Sequence, residues 1–124
     1  MKLRDSLFTI ISERHDGGVN DYTIKLNPTN FIYAAHFPGE PITPGVCIMQ
    51  TAHELLETAV GADLSVRRVK NIKFLKIIKP DMTPCITFSF TNISTQANSV
   101  KAQAIVRDDE NLYAKLSLEC QIAE

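Results

Sequence analysis

The chain has 124 residues, a mass of 13.8 kDa, 44% hydrophobic and 22% charged residues, and a net charge of −1. That composition fits one globular domain over residues 1–124 and excludes a multidomain machine, and a chain of this size can bury roughly 65% of its unfolded surface without disulfides or a structural metal. Cys47, Cys85 and Cys120 are odd in number and form no C-x-x-C pair. No apolar stretch approaches the ~20 residues of a membrane span, and Met1 to Asp5 carry no signal-peptide features, so the sequence predicts a soluble protein of the reducing cytoplasm.

In chain order, residues 7–14 and 19–26 read as two strands joined across Asp16-Gly17-Gly18. The segment His-Phe-Pro-Gly-Glu-Pro-Ile-Thr-Pro-Gly-Val, residues 36–46, then runs into a long helix predicted over about residues 44–60. Thr43 is its expected cap, Pro44 its first residue and Gly61 its end. Ile48, Ala52, Leu55 and Ala59 fall on one face, and Cys47, Gln50, His53, Glu54 and Glu57 form a polar stripe opposite. Val66 to Ile78 reads as a strand ended by Lys79-Pro80-Asp81. From Asp81 onward the apolar period is two, with polar joints expected at Asn92 to Asn98 and Arg107 to Asn111. One long helix and about six strands, mostly meandering, make an α+β domain with an antiparallel sheet on a helix.

The prolines and glycines of residues 36–46 stiffen the backbone and aim the N–H groups of a helix start at whatever lies beside His36. Such a helix end suits an oxygen that gains negative charge, and an imidazole can move a proton near neutral pH. Two readings stand on the residues alone: an acid–base site, or a histidine that only holds its own loop.

The run from His36 to Gln50 resembles the signature of the β-hydroxyacyl-acyl-carrier-protein dehydratases, H-F-P-G-x-P-x-x-P-G-V followed four positions on by an acid. Ile72 to Asp81, with Phe74, Ile77 and Pro80, resembles the strand and turn that follow in that family. The resemblance implies a hotdog fold, a long antiparallel sheet wrapped around one central helix. It implies at least a homodimer, frequently a hexamer as a trimer of dimers, and no cofactor beyond the phosphopantetheine that carries the substrate, on acyl carrier protein or as a coenzyme A thioester. It makes His36 the base at the α-carbon and the Gly45 N–H the donor to the thioester carbonyl, with Phe37, Pro44 and Val46 around the substrate.

The family's acid is a glutamate on the partner subunit, and this chain has Gln50 at that position. A carboxamide has no proton to give. One turn later, where the family often carries glutamine, stands Glu54, and the two share a helix face. The expectations are that Glu54 has taken over as the acid, that it is an ordinary helix carboxylate and the acid is lost, or that a related subunit in a hetero-oligomer supplies the glutamate. The corresponding functions are a 3-hydroxyacyl thioester dehydratase, a non-catalytic acyl-carrier-binding subunit, or a thioesterase using Glu54 as base. His53 reads as an ion-pair partner, Cys47 as a packing residue and His15 as exposed.

Arg67, Arg68, Lys70, Lys73, Lys76 and Lys79 are six of thirteen basic residues, and no acid interrupts Val66 to Pro80. The first four are candidates for docking an acidic carrier protein; the other reading is an edge strand guarded by cations. No metal site, nucleic-acid motif or membrane segment is expected.

Overall fold

A computed structural model describes residues 2–36 and 39–123. The elements are β1 (Phe8–Asp16), β2 (Val19–Leu26), α1 (Phe31–Ala35), α2 (Gly45–Val60), β3 (Leu64–Phe74), β4 (Cys85–Gln96), β5 (Ser99–Arg107) and β6 (Leu112–Ile122). The strands form a six-stranded sheet in the order β1-β2-β4-β5-β6-β3, with every pair antiparallel. Its inner face and the long helix α2 share one core, which is the hotdog arrangement.

Alternation drives the sheet. Val100, Ala102, Ala104 and Val106 of β5 are buried while Lys101 and Gln103 face out, and Leu116, Leu118 and Cys120 of β6 do the same around Ser117 and Glu119. Ala102 pairs with Leu118 and Ala104 with Leu116, so small side chains face large ones across the strand pair in the core. On α2, Ala52, Leu55 and Leu56 are fully buried. The β1–β2 hairpin turns at Gly17 and Gly18, both at positive φ (57° and 83°), as a tight two-residue turn requires.

Four expectations need correction. The joint expected at Asn92 to Asn98 is mostly strand: β4 continues to Gln96 through a register shift between Thr91 and Ser94, where Asn92 takes a left-handed φ of 53°. That bulge breaks the period-two pattern without ending the ladder. The strand expected over Val66 to Ile78 ends at Phe74, because the Leu75 and Lys76 N–H groups both turn to the Tyr113 carbonyl (2.8 and 3.2 Å). Helix α1 was not expected; Asn30 starts it by accepting from the Ile32 N–H at 2.9 Å. Finally, α2 starts at Gly45 with Pro44 as its N-cap, and no side chain caps it.

The β5–β6 turn carries a test of acid stability. The Tyr113 hydroxyl and then the backbone N–H groups of Glu110 and Asn111 donate to Asp108, and together they hold its carboxyl down to about 2. A lowered native pKa contributes stability above the unfolded value of 3.8 that is lost as pH falls through about 2. Acid titration of the fold by circular dichroism is therefore expected to lose stability over that window, and Asp108→Asn is expected to flatten the dependence there.

Candidate active site

His36 is exposed and forms the C-cap of α1, its N–H donating to the Ile32 carbonyl at 3.0 Å. The chain returns at once, since the Ile42 N–H donates to the His36 carbonyl at 3.2 Å. Thr43 then anchors the return: its N–H donates to the Ile78 carbonyl at 2.8 Å, and its hydroxyl lies 2.9 Å from the Tyr33 hydroxyl. Thr43 is thus occupied by Tyr33 and does not cap α2, contrary to the sequence reading. Pro44 and Gly45 follow, so one closed loop carries the imidazole at one end and the helix start at the other. The first N–H groups of a helix lack an acceptor one turn back; that of Cys47 turns to the Pro44 carbonyl at 3.0 Å, and no side chain caps those of Gly45 and Val46.

Gly45 is needed for space. A Cβ there would lie 2.8 Å from the Cζ of Phe74, whose ring packs against the Cα of Gly45. Gly45 and Phe74, with Thr43, Ile48, Ile77 and Ile78, line a groove of about 350 Å³ that is mainly apolar, as an acyl chain requires. Phe74 and Ile77 at its edge are 51% and 60% exposed. Pro44 sits at the helix start beside it. Val46, a predicted substrate contact, is 59% exposed and turned outward, while Phe37 lies outside the described residues.

The stripe on α2 divides. Cys47 is buried, and burial pushes its thiol up, as a packing role requires. His53 meets the Leu64 carbonyl at 2.7 Å and Glu57 at 3.6 Å, which ties the helix to the start of β3. Glu54, expected on a polar face, is buried at 7% exposure. The Leu3 N–H donates to its Oε2 at 2.7 Å, the Arg4 N–H to its Oε1 at 2.9 Å, and the Gln50 Nε2 to its Oε2 at 3.0 Å. Gln50 and Glu54 do share a face and touch, and the N-terminal segment folds over them because Leu3 and Leu7 are core residues. Glu54 borders a second groove with Lys2, Arg4 and Gly61, apart from the one that holds Gly45.

The basic residues lie on and beyond edge strand β3. Arg68, Lys70 and Lys101 converge on Glu119 at 3.3 to 3.5 Å, and with Lys70 the largest cause they hold its carboxyl below the usual range. Arg67 donates to Gln121, Lys79 to Glu40 and Lys76 to Asn111. Lys73 stands opposite Lys115 in the β3–β6 register, like charge against like. His15 is exposed in the first hairpin, on Asn20 and edge-on to Tyr22. Among the described residues, no group of His, Cys, Asp and Glu could hold a metal ion, and no helix is long and apolar enough to cross a membrane.

A family model described as ApeI dehydratase matches residues 12–117. The chain belongs to the ApeI-like dehydratase family. Among curated proteins, a 3-hydroxyacyl-[acyl-carrier-protein] dehydratase FabZ of Chlamydia trachomatis is 32% identical over 83 residues, 60% of this chain and 54% of the relative. The chain thus spans about half the length of the curated relatives it matches. The dehydratase heterocomplex ApeI:P from Xenorhabdus doucetiae superposes with a TM-score of 0.73 at 14% identity, over 92% of this chain and 97% of that one. A mutant thioesterase from Pseudomonas aeruginosa superposes with a TM-score of 0.68 at 12% identity, over 94% and 81%. These structures share the hotdog fold with this ApeI-like chain, and the fold hosts both dehydratases and thioesterases, so the site must decide between them.

Three contributors escaped the sequence reading. Tyr33 gave no signal because a tyrosine three residues before a histidine has no motif of its own. Leu3 and Arg4 contribute only backbone N–H groups to Glu54, which no side-chain pattern can announce.

Proposed function

We propose that this ApeI-like chain dehydrates a 3-hydroxyacyl thioester carried on acyl carrier protein to the trans-2-enoyl thioester, in acyl-chain biosynthesis, as one member of a pair of hotdog subunits. The observation that carries this reading is the closed loop that holds His36 at one end and the open helix start at Gly45 at the other, beside an apolar groove. His36 removes the α-proton. The thioester oxygen takes up the developing negative charge and is held by the Gly45 N–H. The electron pair then forms the C2–C3 double bond as the C3–O bond breaks, and the hydroxyl leaves as water once it receives a proton.

That last proton needs an acid, and the reading places the acid on a related partner subunit. Gln50 stands where the family's acid would be, and both oxygens of Glu54 are engaged by N–H donors of the same chain. The structural neighbour that is a dehydratase heterocomplex supports an assembly of two different chains. The excess positive charge along β3, where Arg68 and Lys70 share Glu119 with Lys101 of β5, supports docking of an acidic carrier protein at Arg67, Arg68, Lys70 and Lys73.

The test is to mix the purified chain with 3-hydroxybutyryl-acyl carrier protein, alone and with candidate hotdog partners, following enoyl absorbance and free thiol together. Enoyl formation that appears with a partner and weakens as salt rises is the expected result. Thiol release without enoyl formation would replace the reading with a thioesterase, and carrier binding without either would make the chain a docking subunit.

A further inference from the structure

We infer that Tyr33 is a positioning residue, whose hydroxyl, paired with that of Thr43, sets the separation between the His36 imidazole and the Gly45 N–H; the inference rests on the thioester-site reading above. Tyr33 is the buried residue of α1, at 3% exposure, while its neighbour Phe31 is 79% exposed. Thr43 is 6% exposed, and the two hydroxyls lie 2.9 Å apart across ten residues of sequence.

The pair closes the base of the loop. On one side Tyr33 belongs to the single turn of helix whose C-cap is His36. On the other, Thr43 directly precedes Pro44, the N-cap of α2. Among the described residues, other ties of the loop include the Ile42 N–H to the His36 carbonyl, the Thr43 N–H to the Ile78 carbonyl and the surface pair of Lys79 with Glu40. A helix of five residues, Phe31–Ala35, is too short to hold its own direction. The hydroxyl pair is a buried side-chain bond that joins it to the residue just before the helix start. A phenyl ring would fill the same core space, so packing does not require the oxygen at residue 33. A buried hydroxyl is retained at low cost only when it is partnered, and Thr43 is that partner.

The consequence lies in geometry. Proton removal and oxyanion binding act on neighbouring atoms of one substrate, and a displacement of about 1 Å between such groups costs on the order of 10²-fold in rate. Losing the bond frees α1 to shift its C-cap, which carries His36, while α2 stays locked in the core by Ala52, Leu55 and Leu56.

The experiment is a nuclear magnetic resonance titration of the full ¹⁵N-labelled chain with crotonyl-pantetheine, observing the Gly45 amide and the His36 ring nitrogens. In the native chain both are expected to shift along one saturable curve. In Tyr33→Phe the spectrum stays dispersed, the His36 signals broaden or double, and the affinity read at Gly45 falls by about tenfold. Tyr33→Phe combined with Thr43→Val removes both hydroxyls, so the buried partner is no longer stranded and thermal stability is expected to return. The His36 disorder is expected to persist. A purely structural role would instead restore His36 and affinity together with stability, and an unchanged Tyr33→Phe titration would overturn the inference outright. If Gly45 of the native chain does not respond to crotonyl-pantetheine, the thioester site itself fails, and the inference fails with it; the native arm alone identifies that case.

Discussion

On the proposed dehydration, Gln50→Glu is expected to raise the rate of interconverting 3-hydroxybutyryl and crotonyl thioesters by about 10²-fold or more, in the range that general acid catalysis contributes. The argument is chemical. The other parts that the proposed reaction assigns are in this chain's own sequence: His36 as the proposed base, the Gly45 N–H at a helix start without a side-chain cap, and an apolar groove walled by Phe74 and Ile78. Gln50 lies one helical turn before Glu54 with its Nε2 3.0 Å from the Glu54 Oε2. A carboxyl introduced at residue 50 would therefore sit against an existing carboxylate, and two like charges so close favour protonation of one of them. A protonated carboxyl near neutral pH is what the departing hydroxyl needs. The gain is expected to vanish when His36→Ala is added. A folded, oligomeric Gln50→Glu variant with no gain would place the acid somewhere other than this helix position.

Glu54→Gln, by contrast, is expected to cost stability before it costs chemistry. The carboxylate accepts from the Leu3 and Arg4 N–H groups and from Gln50, and the Leu3 contact is buried. A carboxamide keeps one acceptor oxygen and turns an NH₂ toward a second donor, which strands a buried N–H at a cost of about 2 kcal/mol. For a domain of this length that corresponds to a fall of roughly 5–10 °C in Tm. Hydrogen exchange should locate the loss in residues 2–8, the segment that buries Leu3 and Leu7. In the Gln50→Glu background the same substitution removes the adjacent carboxylate, so the alkaline limb of the pH–rate profile, where the introduced acid loses its proton, moves to lower pH while the low-pH limb stays. If Glu54→Gln instead abolishes turnover of the native chain without lowering Tm, Glu54 is the acid and the partner subunit is unnecessary.

The structure explains which parts of this site could be read in advance. The inner faces of β5 and β6 were legible because their alternation is unbroken from Val100 to Val106 and from Ala114 to Cys120. Gly61 ends α2 in the left-handed conformation at φ 77°, as its position announced. The end of β4 was not legible, since a left-handed Asn92 inside a strand resembles a turn when the partner strand is unknown, and the end of β3 was not, since it is set where Leu75 and Lys76 turn to the Tyr113 carbonyl of β6. His36 and Gly45 could be named from their motif. The burial of Glu54 could not be read, because the N–H groups that make a carboxylate tolerable there come from Leu3 and Arg4, about fifty residues away. Thr43 looked like a helix cap because threonine before Pro-Gly usually is one; Tyr33, ten residues upstream, takes its hydroxyl instead.

The most direct measurement of the central claim avoids the missing acid altogether. The chain is incubated in D₂O with 3-hydroxybutyryl-pantetheine, and deuterium at the α-carbon is followed by mass spectrometry for the native protein and for His36→Ala. A base held against an oxyanion donor exchanges the α-proton even where the hydroxyl cannot leave. The account predicts incorporation of a single α-deuterium by the native chain and none by His36→Ala. Intact thioester with no α-deuterium from the native chain, at substrate concentrations that saturate the Gly45 amide shift, would contradict it.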